Sequence, residues 1–267
     1  MPHPHILTAE QMRRCDAYTI EVLGVSSRVL MERAAAEATR FLLSRKDLFP
    51  HVSGSVILLC GSGNNGGDGW AMARFLRNGS QGESRDARGY YGGALTPDGV
   101  PDTTRMSVEC RRQYELAVAA GVPVIPPDAP DDVSPSSVDA VVDALFGIGL
   151  DRPITGAPAH LIAWAKKWNR PVLAVDIPSG VHADSGAPLG DTYLPAVATV
   201  TMQAPKRGTV LFPGADICGE IYVADIGISL DPIVGESAPR LCDGDLLRAA
   251  LPPRPRRSNK GTYGRVA

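Results

Sequence analysis

Neither sign of charge dominates this chain: 27 Lys and Arg stand against 29 Asp and Glu in 267 residues, a formal net charge of −2. A general nucleic-acid binder carries a basic excess, so that class is excluded. No apolar run approaches the ~20 residues that a membrane helix needs. The opening Met1-Pro2-His3-Pro4-His5 lacks the basic and apolar layout of a signal peptide. The five cysteines, Cys15, Cys60, Cys110, Cys218 and Cys242, are odd in number and have no CxxC spacing, which leaves neither a disulfide frame nor a zinc site. The five histidines, His3, His5, His51, His160 and His182, show no ligand spacing and read as surface or supporting residues. What these absences leave is a cytoplasmic protein with reduced thiols, and 44% hydrophobic residues supply an ordinary core.

The elements that are present alternate. Thr8 and Gln11 fit a capping box that opens a first helix. A second helix follows Ser26 and Ser27, with Leu30, Ala34, Ala38, Phe41 and Leu42 on one face. Residues 55–60 read as a buried strand, 61–69 as a loop and 70–76 as the start of a helix. The pattern is helical again over 106–120 and 158–168. It is strand-like over 122–125, 138–142, 172–175, 198–202 and 221–224. Short apolar strands alternating with helices predict an α/β fold whose parallel sheet is covered on both faces, without internal repeats. Two stretches break the pattern. Residues 78–102, rich in Gly, Ser, Arg and Asp, predict a long structureless insert. Residues 252–257, made of Pro and Arg, predict a linker.

The chemistry begins between the first strand and the helix after it. Gly61, Gly63, Gly66, Gly67 and Gly69 interleave with Ser62, Asn64, Asn65 and Asp68. Glycines there allow positive φ and close approach to a ligand. The helix N-terminus behind them suits an anion such as phosphate. Gly61, Gly63 and Gly66 satisfy G-x-G-x-x-G, but a dinucleotide-binding dehydrogenase also needs a second strand ending in an acidic residue ~20 positions on. Glu83 and Asp86 are the candidates, and no strand is expected before them. A Walker A loop is excluded because no lysine follows the glycines.

Asp143 and Asp176 each stand at the carboxyl end of an expected strand, where open α/β sheets bind ligands. They can converge with the glycine loop on one pocket, or each can serve as a helix cap or turn former. Asn and Ser oxygens with a carboxylate form a hard ligand set for an alkali or alkaline-earth cation. Lys206 and Arg207, at another strand end, can meet phosphate or stay solvated.

Five segments in order carry a family likeness: Leu30-Met31-Glu32-Arg33-Ala34, the run from Gly61 to Gly69, Asp143 to Gly149, Asp176-Ile177-Pro178-Ser179-Gly180, and Ala204-Pro205-Lys206. From about residue 8 to about residue 230 the chain resembles the NAD(P)H-hydrate epimerase family, the YjeF N-terminal domain. The resemblance implies a Rossmann-like three-layer αβα sandwich with N-terminal helices and a mostly parallel central sheet. It implies R-to-S epimerisation of hydrated NADH and NADPH (NADHX, NADPHX) and a bound potassium ion. It makes Asn64, Asn65, Gly66, Gly67 and Asp68, with Gly147, Ile148, Gly149, Leu150, Asp151, Arg152, Pro153 and Asp176, line the substrate. Asn65, Asp143 and Ser179 would coordinate potassium. Asp176 is the catalytic candidate, with Lys206 second and a phosphate its alternative partner.

The same resemblance divides the chain into an epimerase domain over 1–250 and, over 251–267, a linker and the truncated start of a dehydratase-like domain. It implies an ADP- or ATP-dependent NAD(P)H-hydrate dehydratase as a fused or separate partner, and a homodimer as the common assembly. A catalytically silent nucleotide- or protein-binding module on the same fold is the rival. Where the family has an aliphatic strand, this chain has 78–102, expected to be an insertion or an altered reading frame that weakens the middle of the sheet. Trp70 stands where the family has a smaller aliphatic.

Overall fold

In the computed structural model, which describes residues 5–50, 55–79, 82, 84–127, 134, 137–233, 238–240, 242, 244, 248 and 256–257, the chain enters through α1 (Ala9–Ala17). The capping box forms as the sequence predicts. Thr8 accepts from the Gln11 backbone, and the Gln11 side chain accepts from the Thr8 backbone, which satisfies donors the helix itself leaves free. The helix widens into a π-turn, Tyr18–Val22, held by the Thr19 hydroxyl on the Cys15 carbonyl at 2.7 Å. Helix α2 (Ser27–Ser44) then buries Leu30, Ala34, Ala38, Phe41 and Leu42, the face its periodicity marks.

Among the described residues seven strands follow: β1 (Ser55–Cys60), β2 (Asp86–Tyr91), β3 (Val124–Ile125), β4 (Val138–Ala144), β5 (Val172–Val175), β6 (Ala198–Met202) and β7 (Glu220–Ala224). They form one sheet in the order β3-β2-β1-β4-β5-β6-β7, and every pairing is parallel. Helices α3 (Asn64–Asn78), α4 (Val108–Ala119) and α5 (Ala157–Trp168) cross between strands. Two short helices, α6 (Arg207–Val210) and α7 (Gly214–Cys218), precede β7. One core packs α2, α3 and α4 against the sheet, and a second packs α5 against the other face. Burial on both faces explains why β1 and β4 read as near-continuous apolar runs. Among the described residues no helix is long and apolar enough to cross a membrane. The expected linker and dehydratase-like start over 251–267 lie outside the described residues, apart from Arg256 and Arg257.

The structure corrects two expectations. The insert expected over 78–102 contains β2, which pairs with β1 from Ser55–Asp86 to Cys60–Tyr91 and fills the position of the missing aliphatic strand. Its burial comes from Ala87, Tyr90 and Tyr91, so an aliphatic criterion passes over it. Trp70 supplies the rest. A Cβ on Gly89 would lie 2.0 Å from Trp70 Cζ3, so the indole occupies the space a β2 side chain would otherwise take. Its other edge meets Tyr114 of α4 in a T-shaped contact at 5.2 Å. A large residue on α3 and an absent one on β2 are thus complementary.

The second correction concerns residues 61–69, where α3 begins at Asn64, well inside the expected loop. None of Gly61, Gly63, Gly66, Gly67 or Gly69 has positive φ. Packing demands most of them instead. A Cβ on Gly66 would lie 2.0 Å from the Gly61 carbonyl oxygen, and one on Gly69 would lie 2.7 Å from the Ala144 Cβ.

Gly89→Ala is therefore expected to cost about 1–3 kcal/mol in urea unfolding, the usual penalty for overpacking. Combined with Trp70→Leu it should cost less than the two single changes summed, because both act on one contact. Additive values would contradict the proposed complementarity.

Candidate active site

The chain runs from β1 outward to β2 and β3, then returns to β4 on the other side of β1. The segments leaving β1 and β4 therefore diverge at their carboxyl ends and open a crevice, the usual ligand position in an open α/β sheet. A cleft of about 890 Å³ lies there. Ser62, Gly63, Asn64, Asn65 and Asp68 of the β1–α3 region line it, as do residues 145–155 after β4, and Asp176, Met202 and Lys206 from the ends of β5 and β6.

Beneath the cleft, Asn65, Asp143 and Ser179 converge on the turn after β4. Asp143 is fully buried. Its carboxylate accepts from the Ser179 hydroxyl at 2.6 Å, the Ser179 amide at 2.8 Å and the Leu145 amide at 3.3 Å. Burial nonetheless outweighs these bonds and raises its pKa to about 6. Ser179 Oγ also accepts from the Phe146 amide at 3.0 Å, and Asn65 Nδ2 donates to the Phe146 carbonyl at 3.0 Å. Residues from three distant segments thus fix one turn. Asn65 Oδ1 receives no donor from the described residues. A buried carboxylate, an amide oxygen and a hydroxyl are hard donors that fit a weakly charged cation. Among the described residues no group of three His, Cys, Asp or Glu side chains is placed to hold a metal ion.

Asp176 has φ +68°, a conformation rare outside glycine, asparagine and aspartate. Its amide donates to the Val200 carbonyl at 2.8 Å, which ties the turn to β6. Oδ1 forms an ion pair with Lys206 Nζ. Lys206 is 1% exposed and spends its other donors on Thr201 Oγ1 at 3.0 Å and the Met202 carbonyl at 2.9 Å. The phosphate alternative for Lys206 fails on this geometry, since all three ammonium donors are already committed within the protein. Oδ2 of Asp176 points the other way, toward Gly147, where a Cβ would stand 3.3 Å from it. One carboxylate oxygen is anchored and the other faces the cleft.

Other expected residues are distributed unevenly. Asn64 is exposed and accepts from the Ser107 hydroxyl at 2.7 Å. The segment from Gly147 to Pro153 lines the cleft throughout. Gly66 and Gly67 are buried and do not line it; Gly67 backs onto Met31, whose side chain would lie 2.8 Å from an added Cβ. Asp68 lines the cleft. Its proton affinity is raised well above the ordinary carboxylate range, first by burial and then by the charges of Asp176 and Asp16.

One wall escaped the sequence reading. Met12, Arg13, Asp16 and Ile20, from α1 and its π-turn, line the cleft together with Leu30 and Met31 of α2. Arg13 Nη2 reaches the Ile148 carbonyl at 3.2 Å and so links this wall to the segment after β4. The available signal was an aspartate at the middle of a four-residue spacing, Met12, Asp16 and Ile20, whose other members are apolar.

A family model described as the YjeF-related protein N-terminus matches residues 27–208. A protein of Limosilactobacillus fermentum named NAD(P)H-hydrate epimerase is 36% identical over 219 residues, covering 82% of this chain and 95% of that one. A bifunctional NAD(P)H-hydrate repair enzyme of Thermofilum pendens is 34% identical over 98% of this chain, which spans 47% of that relative's length. The crystal structure of the yeast protein ynu0 shares the fold, with a TM-score of 0.62 at 20% identity over 76% of this chain and 82% of that one.

Lys206→Met should destabilise the protein by about 3–5 kcal/mol, because it strands a buried carboxylate without its cation. Adding Asp176→Asn should restore part of that loss in chemical denaturation. A double variant as unstable as the sum of the two singles would show that the ion pair is not what holds this region.

Proposed function

This chain belongs to the family of the YjeF-related protein N-terminus, and on that premise we propose that it is an isomerase that interconverts the R and S epimers of hydrated NADH and NADPH. The observation that carries the reading is the divided carboxylate of Asp176, one oxygen paired to buried Lys206 and the other turned to the cleft. The named relatives support the substrate class.

In such a substrate the C6 hydroxyl stands beside a ring nitrogen. Protonation of that hydroxyl breaks the C6–O bond and releases water, while the nitrogen lone pair forms an iminium cation. Water returning to the other face of C6 and losing a proton completes the inversion. A fixed carboxylate can stabilise the cation and accept that proton. Asp176 takes this role, and Lys206 acts through it as a positioning residue. The cleft residues Asn64, Asn65, Asp68, Gly147, Ile148, Gly149, Leu150, Asp151, Arg152 and Pro153 would hold the dinucleotide, with Gly66 and Gly67 supporting them from below. Positioning of this kind lowers the entropy still to be lost at the transition state.

Potassium fits the donors under the cleft. Asn65, Asp143 and Ser179 would hold it, and when bound it would offset the buried charge of Asp143 and brace the turn after β4. The epimerase domain would occupy 1–250. The bifunctional repair enzyme of Thermofilum pendens supports a dehydratase as functional partner, since the two activities together return both epimers to use. A homodimer is the assembly proposed.

The test is a coupled assay in which mixed R and S NADHX meets an S-specific dehydratase. Addition of this protein should carry the reaction through the R form well beyond the spontaneous rate. Asp176→Asn should lower turnover by about 10²–10⁴-fold, as loss of an acid–base group does, with substrate binding retained. Folded wild-type protein that leaves the R form at its spontaneous rate would favour the silent binding module.

Replacing potassium by a large organic cation should reduce the rate and the melting temperature of the wild type. Asp143→Asn should be indifferent to the exchange in both. An equal potassium response in wild type and variant would remove Asp143 from the ion site.

A further inference from the structure

Inversion by loss and return of water needs proton transfer on both faces of C6, and Asp176 provides for one. Resting on the epimerase reading, we propose that Asp16 of α1 is the second acid–base residue, the group that donates its proton to the departing hydroxyl.

Asp16 lines the same cleft as Asp176 although the two come from segments far apart in the chain, α1 and the end of β5. It is half-buried, and among the described residues no hydrogen-bond donor or cation reaches its carboxylate. This sets it apart from Asp143 and Asp176, whose carboxylates are held by Ser179 and Lys206. An unanchored carboxyl in a partly desolvated wall is free to turn toward a ligand and favours its protonated form, as a general acid must. Burial does raise its proton affinity.

Its neighbours support the assignment. Asp68 feels the charges of both Asp16 and Asp176, so the three carboxyls share one electrostatic environment. Lys206 pairs with Asp176 and also acts against the raised proton affinity of Asp68, whereas no cation among the described residues acts on Asp16. The other charged or titratable groups on the elements around Asp16 are Glu10, Arg13, Arg14, Cys15, Tyr18 and Glu21 on its own helix and π-turn, and Asp231 on the 3-10 turn Asp231–Ile233 packed against α1. The backbone is fixed just beyond it: Thr19 Oγ1 donates to the Cys15 carbonyl and accepts from the Ser229 amide at 2.9 Å.

The step balances. The Asp16 O–H proton goes to the C6 hydroxyl, the C6–O bond breaks with its electron pair leaving on water, and the nitrogen lone pair forms the C6–N1 double bond. A water oxygen then bonds to C6 from the opposite face, and its proton passes to Asp176. That proton returns to Asp16 through the water in the open cleft, and in the reverse direction the two carboxyls exchange roles.

The experiment measures kcat and KM for wild type, Asp16→Asn and Asp16→Glu across pH in the coupled assay, with circular dichroism and thermal melts as checks on folding. Asp16→Asn should lower kcat about 100-fold or more, leave KM nearly unchanged and abolish the alkaline decline in rate that loss of the acid proton causes. Asp16→Glu should recover part of kcat with that decline displaced. An active wild type beside an Asp16→Asn variant of near-normal turnover would overturn the proposal alone. So would a rise in KM with the alkaline decline intact. A wild type without epimerase activity would overturn the underlying reading along with it. If Asp16→Asn does not fold, Asp16→Glu decides: a displaced decline supports the proposal and an unmoved one rejects it.

Discussion

Where β1 ends, backbone meets backbone. The Leu145 carbonyl oxygen would lie 2.0 Å from a Cβ on Gly61, and the Gly61 carbonyl oxygen 2.0 Å from one on Gly66. These contacts exist only because neither residue has a side chain. They let α3 start directly above the sheet and let the turn after β4 lie beside it. The crevice between them inherits its width from that approach; Asn65 and Asp143 take their positions from these two segments, and Asp176 and Ser179 come to them from the end of β5. Glycine thus serves here through the volume it leaves empty rather than through unusual dihedral angles.

Charge is distributed around the cleft according to how each carboxyl is partnered. Asp143 is buried and satisfied by hydroxyl and amide donors, so its role is to hold a turn. Asp176 is buried and satisfied by a cation on one oxygen, which leaves the other turned toward Gly147. Asp68 and Asp16 have neither kind of partner among the described residues, and burial raises the proton affinity of both. The proposed loss and return of water at one carbon needs carboxyls in different protonation states, and unequal partnering is a physical way to obtain them.

Much of the fold was legible along the chain. The bounds of β1, β5 and β6 follow directly from short apolar runs, and the start of α1 follows from the reciprocal bonds of Thr8 and Gln11. The strand at Asp86–Tyr91 was not legible, because its burial comes from tyrosines and from Trp70 reaching across from α3. The early start of α3 was hidden by glycines that discourage a helix locally and are required by packing. Within the site, the acidic strand ends could be placed from sequence. The inward turn of Lys206 and the wall built by α1 could not.

The sequence by itself determined the order of the elements other than β2, the parallel α/β class and the set of polar residues at strand ends. Each of these depends on periodicity and capping within a few neighbours, where local sterics and hydrogen bonding decide. The tertiary structure decided which of those polar groups keep a free oxygen, which are tied up in ion pairs and turns, and that Asp16, Asp68 and Asp176 line one cleft. Those outcomes depend on desolvation and on contacts between segments far apart in the chain, and neither quantity exists until the sheet has brought the segments together.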